Sequence, residues 1–439
     1  MNAVFSAIGW LTGYLALVFA PLLTLLIGPV PPASGFWWDF SMALGFAGMA
    51  LLGLQFLLTA RFRRASAPFG IDIIYYFHRF LAVIGFTLIV AHLLILWIDY
   101  PAALGTRNPM VAPGYMTAGR TALVLFGIII ATSLWRKPLR IEYDHWRLWH
   151  AMLATSAFLL AMVHIEGVGY YINAPVKRIL WTTFTLFWVV LIIYVRIIKP
   201  ARLRKFPYRV TEVRPERGRV WTLVLKPDGH PGLRFTSGQF AWLTLGKSPF
   251  YLKEHPFSIA SSAERGKTLE FTIKELGDFT KTIKDRKPGE IAYLDGPYGV
   301  FTVERYPQSH GFVLIAGGVG IVPIMSMLRT LADRGDKRPL ILLYGNQDWE
   351  RVTFREELMD LQQRLTLQVV HVLTEPPKNW EGEHGYISQE LLDKYLPDTR
   401  GELEYFICGP TPMRKAAERA LHNLQISVKR IHSELFDLV

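Results

Sequence analysis

Six apolar stretches of membrane-spanning length occupy the first 200 residues of this 439-residue chain. Each is close to the roughly 20 residues that a helix needs to cross a bilayer. They lie at about 5–29, 37–60, 72–98, 118–135, 143–165 and 176–198. Only six of the 36 acidic residues fall in this part, which leaves 30 for the remainder. The sequence therefore predicts a transmembrane helical bundle followed by a soluble half.

The basic residues of the first half are concentrated after the second, fourth and sixth apolar stretches. They are Arg61, Arg63, Arg64, Arg136, Lys137, Arg140, Arg196, Lys199, Arg202, Arg204 and Lys205. Because cytoplasmic loops carry the excess of Lys and Arg, these connections and the soluble half are expected in the cytoplasm. This arrangement predicts an integral protein of the cell (inner) membrane with six spans.

The N-terminal residues indicate the fate of the first apolar stretch, and the net charge indicates the class of binding partner. No basic segment precedes the first apolar stretch, so a retained helix is expected rather than a cleaved secretory signal. The net charge of +12 comes mostly from residues that border the apolar stretches, which favours anionic lipid headgroups as the partner. Nucleic acid is not expected, because the soluble half has no basic stripe with interleaved aromatic residues.

Two histidine pairs share one spacing of fourteen residues: His78 with His92, and His150 with His164. Fourteen residues make almost four helical turns, so each pair lies on one helix face, about 21 Å apart along the axis. Both helices start on the same side of the membrane, which brings the pairs into register at two levels. Facing imidazoles at two levels predict two b-type haems, each with two histidine ligands. For any single histidine, the alternative is a hydrogen-bonded interior residue.

The chain has one cysteine, Cys408. One cysteine excludes an internal disulfide, a four-cysteine iron–sulfur cluster and a covalent CxxCH haem attachment. Any haem is therefore held without thioether links.

The chain becomes β-rich after the linker at 200–210. Short segments rich in Val, Thr, Phe and Tyr predict a small antiparallel barrel. They lie around 208–213, 219–226, 239–245, 256–261, 268–274 and 291–294. Within it, Gly277, Asp278, Phe279 and Thr280 open a predicted helix, which forms either an anion site or simply a good N-cap. The run 295–299 predicts a tight turn.

A second pattern begins near residue 311, with a buried strand, a glycine turn and an amphipathic helix. Gly317, Gly318 and Gly320 would let backbone amides approach a pyrophosphate at the start of that helix. Further strands at 339–346, 367–374 and 404–410 alternate with helical stretches, which predicts an α/β nucleotide-binding domain. The alternative is a glycine-rich turn that binds no ligand.

The combined pattern resembles the ferric reductase and NADPH oxidase superfamily, in the form of a bacterial-type membrane flavocytochrome b. The resemblance covers nearly the whole chain. It rests on the six spans with twin histidine pairs, followed by HPFS (255–258), GDFT (277–280), DGPYG (295–299), AGGVGIVP (316–323) and CGP (408–410).

This resemblance implies a multidomain fold, in which a six-helix transmembrane bundle is followed by a ferredoxin-NADP-reductase-like module. The transmembrane haem domain would span 1–200. An antiparallel β-barrel that binds FAD would span 204–304, and an α/β domain that binds NAD(P) would span 308–439.

The resemblance also implies roles for individual residues. The metal ligands would be His78, His92, His150 and His164, and the FAD-binding residues would be His255, Pro256, Phe257, Ser258, Lys274, Gly277, Phe279 and Thr280. The dinucleotide-binding residues would be Gly317, Gly318, Val319, Gly320, Cys408, Gly409 and Pro410. Ser258, near flavin N5, and Cys408, beside the nicotinamide, would be catalytic. Phe436 would cover the flavin ring, although three residues follow it here.

The implied function is an NAD(P)H-dependent flavohaem oxidoreductase that passes electrons through FAD and two haems to an extracytoplasmic one-electron acceptor. That acceptor is a ferric chelate or O2. Animal-type NADPH oxidases carry a further histidine where this chain has Leu96, and an arginine in the second span, which is absent here. These departures weigh against a dedicated superoxide-generating NADPH oxidase, which stays an alternative.

Two further points stay open at the level of the sequence. A cytochrome b subunit that relays electrons to a periplasmic protein partner is another alternative, although the outer loops are short. The donor is NADPH or NADH. Arg351 or Arg355 would meet a 2′-phosphate, and no acidic residue ends the strand at Gly345 and Asn346, which favours NADPH.

Overall fold

The computed structural model describes residues 2–27, 34–62, 70–250 and 253–434. The chain divides into two compact units, Met1–Pro200 and Ala201–Val439. Three residues to which the sequence analysis assigns a role, Arg63, Arg64 and Phe436, lie outside the described residues.

The first unit consists of long apolar helices, as predicted. They are α1 (Asn2–Thr24), α2 (Phe36–Thr59), α3 (Ile71–Asp99), α4 (Gly114–Leu134), α5 (Tyr143–Val168) and α6 (Pro175–Ile193). After α6 the chain continues through a π-helical segment, Tyr194–Ile198, into a short helix α7, Lys199–Leu203. Six helices within the described residues are long and apolar enough to cross a membrane, which confirms the predicted bundle.

Small residues allow α2 and α3 to pack with their backbones close together. A Cβ atom on Gly48 would lie 2.8 Å from the carbonyl oxygen of Gly85, and a Cβ on Gly85 would lie 3.2 Å from that of Gly48. Glycine at a helix crossing is typical of membrane proteins, where packing rather than hydrophobic exclusion holds helices together. The close approach therefore fixes α2 against α3.

The second unit begins with a six-stranded antiparallel sheet in the order β4-β3-β6-β1-β2-β5. Its strands are β1 (Tyr208–Glu216), β2 (Val220–Pro227), β3 (Phe240–Leu245), β4 (Glu254–Ser258), β5 (Leu269–Lys274) and β6 (Ile291–Tyr298). A bridge between Ile259 and Phe271 joins the two edge strands, and the apolar faces enclose a buried core. This closure confirms the predicted antiparallel barrel.

A parallel sheet in the order β10-β9-β8-β7-β11-β12 follows. The strands are β7 (Phe312–Gly317), β8 (Leu340–Asn346), β9 (Leu367–Leu373), β10 (Glu383–His384), β11 (Glu404–Cys408) and β12 (Ile431–Glu434). The helices of this unit are α8 (Asp278–Lys281), in the barrel, and α9 (Ile321–Asp333), α10 (Arg355–Arg364), α11 (Gln389–Tyr395) and α12 (Thr411–Asn423). Separate apolar cores form on the two faces of the sheet, as in other α/β nucleotide-binding folds.

Two details differ from the sequence-based expectations. The run 295–299 was expected to be a tight turn, but residues 295–298 belong to β6. Tyr298 pairs with Phe240 and Asp295 with Trp242, around an irregularity in the register. The edge strands β10 and β12 were not predicted, because short strands at a sheet edge carry little periodic signal.

An ionic interface joins the barrel to the nucleotide domain. Arg329 on α9 donates to Glu357 at 2.7 Å, to Glu270 of β5 at 3.0 Å and to the carbonyl oxygen of Ala260 at 2.8 Å. Its side chain is only 13% exposed, so these bonds are partly shielded from water. Arg329 therefore fixes the two domains against each other.

Candidate functional site

The histidines predicted at the outer level are each held by a neighbouring helix. Ser41 on α2 donates its hydroxyl to the carbonyl oxygen of His92 at 3.0 Å, and Nδ1 of His92 lies 2.9 Å from the carbonyl oxygen of Ser41. Nδ1 of His164 lies 3.1 Å from the carbonyl oxygen of Tyr115 on α4. Because a carbonyl only accepts, each Nδ1 carries the proton and each Nε2 keeps its lone pair.

The histidines predicted at the inner level face each other across α3 and α5. The ring centroids of His78 and His150 are 6.2 Å apart. Nδ1 of His150 lies 3.2 Å from the hydroxyl of Ser133, which itself donates to the carbonyl oxygen of Ile129 at 2.6 Å. That hydroxyl is therefore free to accept the Nδ1 proton of His150. Nδ1 of His78 is buried and has no partner among the described residues.

The separation of His78 and His150 fits a pair of metal ligands. Imidazole nitrogens bind metal ions at about 2.0–2.1 Å, so two rings on opposite sides of one ion have centroids about 6 Å apart. The His78–His150 distance of 6.2 Å matches this value. Metal-binding histidines normally donate Nδ1–H to a carbonyl or another polar group, as His92 and His164 do. The inner pair therefore fits one haem iron between His78 and His150, and the anchored Nδ1 atoms leave Nε2 of His92 and of His164 available to a metal.

Two glycines make room for the imidazoles at the outer level. A Cβ atom on Gly119 of α4 would lie 2.7 Å from the ring of His164, and a Cβ on Gly45 of α2 would lie 3.3 Å from that of His92. The first distance is shorter than van der Waals contact allows, so only glycine fits at 119 without a shift of the ring. Gly45, Gly119, Ser41 and Ser133 were not predicted as site residues from the sequence. The feature of the sequence that could have revealed them is a small residue within an apolar stretch.

The HPFS segment forms strand β4, where Ser258 pairs with Phe240 of β3. The imidazole of His255 stacks on the ring of Phe279 with centroids 3.9 Å apart, and Phe257 is nearly parallel to Phe279 at 6.0 Å. Ser258 is 5% exposed. The barrel thus brings HPFS and GDFT, which are separated in sequence, to one face. Their roles toward a flavin stay predictions.

The GDFT segment forms a single short turn, α8. The hydroxyl of Thr280 accepts from the backbone N–H groups of Leu276 and Gly277, each at 2.9 Å, and donates to the carbonyl oxygen of Gly277. The segment has two interpretations, an anion site and an N-cap. The hydrogen bonds of Thr280 are those of an N-cap. Lys274 lies at the end of β5, opposite Val220.

The glycine turn after β7 contacts the CGP turn after β11. A Cβ atom on Gly320 would lie 2.2 Å from the carbonyl oxygen of Cys408, and a Cβ on Gly409 would lie 3.0 Å from the backbone nitrogen of Gly317. Gly318 between them has a φ of +52°. Side chains are therefore sterically excluded at Gly320 and Gly409, and the two turns meet through their backbones at the carboxyl ends of the strands, where α/β folds bind nucleotides. Val319 and Pro410 flank the same contact.

Cys408 ends β11 at this edge of the sheet and pairs in register with Glu434 of β12. Complete burial, followed by the negative charge of Glu434, raises the pKa of the Cys408 thiol well above its usual range, so the thiol is neutral near pH 7. A Cβ atom on Gly299 would lie 3.6 Å from Oε1 of Glu434. The structure therefore brings Glu434, which the sequence analysis missed, between the CGP turn and the end of β6.

In the connection after β8, both arginines that the sequence predicts to meet a 2′-phosphate are paired with carboxylates. Nε of Arg351 lies 2.9 Å from Asp348, and the guanidinium of Arg355 lies 3.2 Å from Glu356 and over the ring of Trp349. Hydrogen bonds from Arg217 hold the pKa of Glu356 down to about 2, so this carboxylate is charged at neutral pH.

Three family models match successive parts of the chain. They are described as ferric reductase like transmembrane component (residues 44–162), FAD-binding domain (217–302) and oxidoreductase NAD-binding domain (314–419). The chain has the ferric reductase and NADPH oxidase architecture. It thus combines a ferric-reductase-like transmembrane component with FAD-binding and NAD-binding domains.

The soluble half is similar to known reductases. NADH-cytochrome b5 reductase 2 of Scheffersomyces stipitis is 31% identical over 166 residues, which are 37% of this chain and 55% of the relative. The protein of the same name from Phaeosphaeria nodorum is 31% identical over 204 residues, which are 44% of this chain and 58% of the relative. The chain therefore spans little more than half the length of these relatives.

A solved structure of flavohemoglobin from Malassezia yamatoensis with bound FAD and heme has a TM-score of 0.50. It is 17% identical and covers 91% of this chain and 97% of that one. At this identity the likeness is one of fold alone.

Proposed function

We propose that this protein passes electrons from cytoplasmic NAD(P)H, by way of a bound FAD and two b-type haems, to a one-electron acceptor outside the membrane. The acceptor is a ferric chelate or O2. The observation that carries this proposal is the 6.2 Å separation of the His78 and His150 rings, since two imidazoles at this distance suit one iron between them. The anchored Nδ1 atoms of His92 and His164 support a second haem.

When bound, flavin accepts two electrons as hydride from a nicotinamide and releases them singly, and each haem iron carries one electron. The chain binds and orients these groups. His78 and His150 would hold the inner haem, and His92 and His164 the outer one. The glycine turn at Gly317–Gly320, which leads into α9, would bind the pyrophosphate of the nucleotide. The buried, neutral thiol of Cys408 would present an uncharged surface to the nicotinamide.

We further propose that NADH is the preferred donor. Arg351 and Arg355 pair with Asp348 and Glu356, so a 2′-phosphate would have to displace a carboxylate to gain an arginine. The two relatives described above are named as reductases that use NADH. The carboxylate partners of Arg351 and Arg355 therefore weaken the argument for NADPH that the sequence offered.

The proposed direction is from the cytoplasm outward. The basic residues after α2, α4 and α6 favour the cytoplasmic side for these connections, and so for the start of the soluble half at residue 201. With this orientation, His78 and His150 lie toward the cytoplasm and His92 and His164 toward the outside.

Sealed vesicles with the soluble half exposed provide the test. Externally added NADH is expected to reduce ferric citrate trapped in the lumen, because electrons leave by the outer haem. The variant His92→Ala should abolish this reduction while acceptors on the outside of the vesicle are still reduced. The control is His145→Ala, on the same helix as His150. His145 is 66% exposed and pairs with Glu142, and its loss should change neither rate.

The same vesicle experiment distinguishes the two candidate acceptors, O2 and a ferric chelate. Equal NADH oxidation with and without ferric citrate, accompanied by lumenal superoxide, would assign O2. Dependence on ferric citrate would assign metal reduction. A lumenal acceptor that stays oxidised while the haems are reduced would contradict transfer across the membrane.

A further inference from the structure

Helices α2 and α3 form an antiparallel pair whose contacts repeat after seven residues. The carbonyl oxygen of Ser41 on α2 lies 2.9 Å from Nδ1 of His92 on α3. Seven residues further along α2, and seven residues back along α3, a Cβ atom on Gly48 would lie 2.8 Å from the carbonyl oxygen of Gly85. Because seven residues make almost two helical turns, another step of seven stays on the same face of each helix. The next contact of the series is therefore expected seven residues beyond Gly48 and seven residues before Gly85.

That next step leads to Gln55 on α2 and to His78 on α3. Each of these side chains has one buried polar atom without a partner among the described residues, Oε1 of Gln55 and Nδ1 of His78. Gln55 is 8% exposed, and its amide nitrogen is already used, since Nε2 donates to the carbonyl oxygen of Leu51 at 2.7 Å. An unpaired polar group is costly within the membrane, where no water replaces the missing bond. A hydrogen bond between the two side chains would satisfy both atoms.

The second histidine-bearing hairpin, α4 with α5, shows the same spacing with both contacts made. A Cβ atom on Gly119 of α4 would lie 2.7 Å from the ring of His164 on α5. Fourteen residues further along α4, and fourteen residues back along α5, the hydroxyl of Ser133 lies 3.2 Å from Nδ1 of His150. In this hairpin, the residue two steps of seven beyond the outer contact therefore supports the inner histidine. Gln55 occupies the equivalent position on α2.

We propose that Gln55 is the positioning residue of His78, and that its amide oxygen accepts the Nδ1–H of His78 when Nε2 binds the inner haem iron. A rotation of the flexible Gln55 side chain would complete this bond, which the described atoms do not form. The inference rests on the proposed function, because it concerns the haem held by His78 and His150.

The hydrogen bond would tune the inner haem as well as orient the ring. Donation from Nδ1 fixes the tautomer of His78 and makes its imidazole a more basic ligand. A more basic ligand stabilises ferric iron relative to ferrous iron, so Gln55 would lower the reduction potential of the inner haem. A lower potential favours the onward passage of the electron.

Redox titration of the purified full-length protein in detergent, followed by haem absorbance, provides the test. Two titration steps are expected, one for each haem. Gln55→Leu removes the acceptor with little change in side-chain size, and should raise the potential of one step and leave the other unchanged. The expected change is about tenfold in the ratio of ferric to ferrous haem, which is about 59 mV for one electron. The step that moves should be the one that remains in His92→Ala, where the outer haem is expected to be lost.

A second variant separates this role from a merely structural one. The carboxyl group of Gln55→Glu keeps an acceptor oxygen whether or not it is protonated, so the affected step should lie at or below that of the unchanged protein. The control is Thr87→Val, on the helix that bears His78. The hydroxyl of Thr87 is exposed and donates to the carbonyl oxygen of Val83 in its own helix at 2.9 Å, so its loss should move neither step.

The outcomes distinguish this inference from the proposed function. Equal potentials in Gln55→Leu and the unchanged protein, or a rise in Gln55→Glu as large as in Gln55→Leu, would overturn the role of Gln55. Loss of the inner haem from Gln55→Leu with its retention in Gln55→Glu would support that role, whereas loss from both variants would overturn it. A failure of the proposed function gives a different result, because a protein that binds no haem shows no titration step in any variant.

Discussion

Individual residues position the imidazoles of the proposed haem ligands. His92 is held by Ser41 and His164 by the carbonyl oxygen of Tyr115, and both contacts come from the helix that precedes the histidine-bearing helix. A hydrogen bond to Nδ1 both selects the tautomer and orients the ring. The precision of the proposed sites therefore depends on residues that bind no cofactor themselves.

Gly119→Ala tests this dependence. The new methyl group would lie 2.7 Å from the His164 ring, so the imidazole must turn away from its position. We expect the outer haem to be lost, and the ratio of haem to protein in the purified protein to fall from about two toward one. A pyridine haemochrome assay with a protein determination measures this ratio.

The control on the same helix is Gly114→Ala, since no described atom lies within 4 Å of the Cβ position of Gly114. It should keep both haems. A ratio near one in the unchanged protein would contradict the two-level arrangement, and full occupancy in Gly119→Ala would show that His164 is not a ligand.

Among the secondary-structure elements, α9 and β12 position the nucleotide edge. β12 pairs with β11 and brings Glu434 beside Cys408, and His432 on the same strand lies 2.8 Å from Glu404 at the start of β11. Helix α9 carries Arg329, which contacts the barrel. Helix α9 thus holds the barrel against the nucleotide domain, and β12 places Glu434 at the edge where the predicted ligands meet.

Arg329→Ala is expected to destabilise the soluble half. It removes a shielded guanidinium and leaves Glu270 and Glu357 without this partner, which costs about 3 kcal/mol when such a pair is broken. Thermal unfolding of the full-length protein, followed by the rise in flavin fluorescence as FAD is released, measures the change. Arg400→Ala removes an exposed pair with Asp393 and should cost less than about 1 kcal/mol. Equal midpoints for the two variants would show that the α9 contact does not hold the domains together.

At the scale of the whole molecule, the chain combines two units whose surfaces suit different surroundings. The first unit exposes apolar side chains along its helices, whereas the second encloses its own apolar cores and carries most of the acidic residues. Each unit therefore satisfies its own burial requirement, one in lipid and the other in water.

A fragment of residues 204–439 is accordingly expected to fold without the membrane half, bind FAD and reduce artificial dyes with NADH. Bound flavin is measured by its absorbance after gel filtration, and dye reduction by stopped-flow spectroscopy. Ser258→Ala should slow flavin reduction more than it weakens FAD binding. A soluble, folded fragment that retains no flavin would contradict the assignment of HPFS and GDFT to the flavin site.

Much of the architecture could be predicted because it follows from local periodicity. The length of the apolar stretches predicted the helices, and the fourteen-residue spacing of His78 and His92 placed them on one helix face. The barrel strands were predicted within a few residues, apart from the segment at 295–299, which continues β6 because its pairing with β3 extends past Asp295. Glu434 was missed because a strand of four residues has too little pattern to reveal its neighbour.

The amino-acid sequence by itself determined the membrane character of the first half, the class of the second and the histidines available for metal binding. Each is a property of composition or regular spacing along one element. Only the tertiary structure decided which groups meet across elements: Ser41 with His92, Gly320 with the carbonyl of Cys408, and Arg351 with Asp348. The physical reason is that such contacts join residues far apart in sequence, and their partners are selected by packing, which no local pattern encodes.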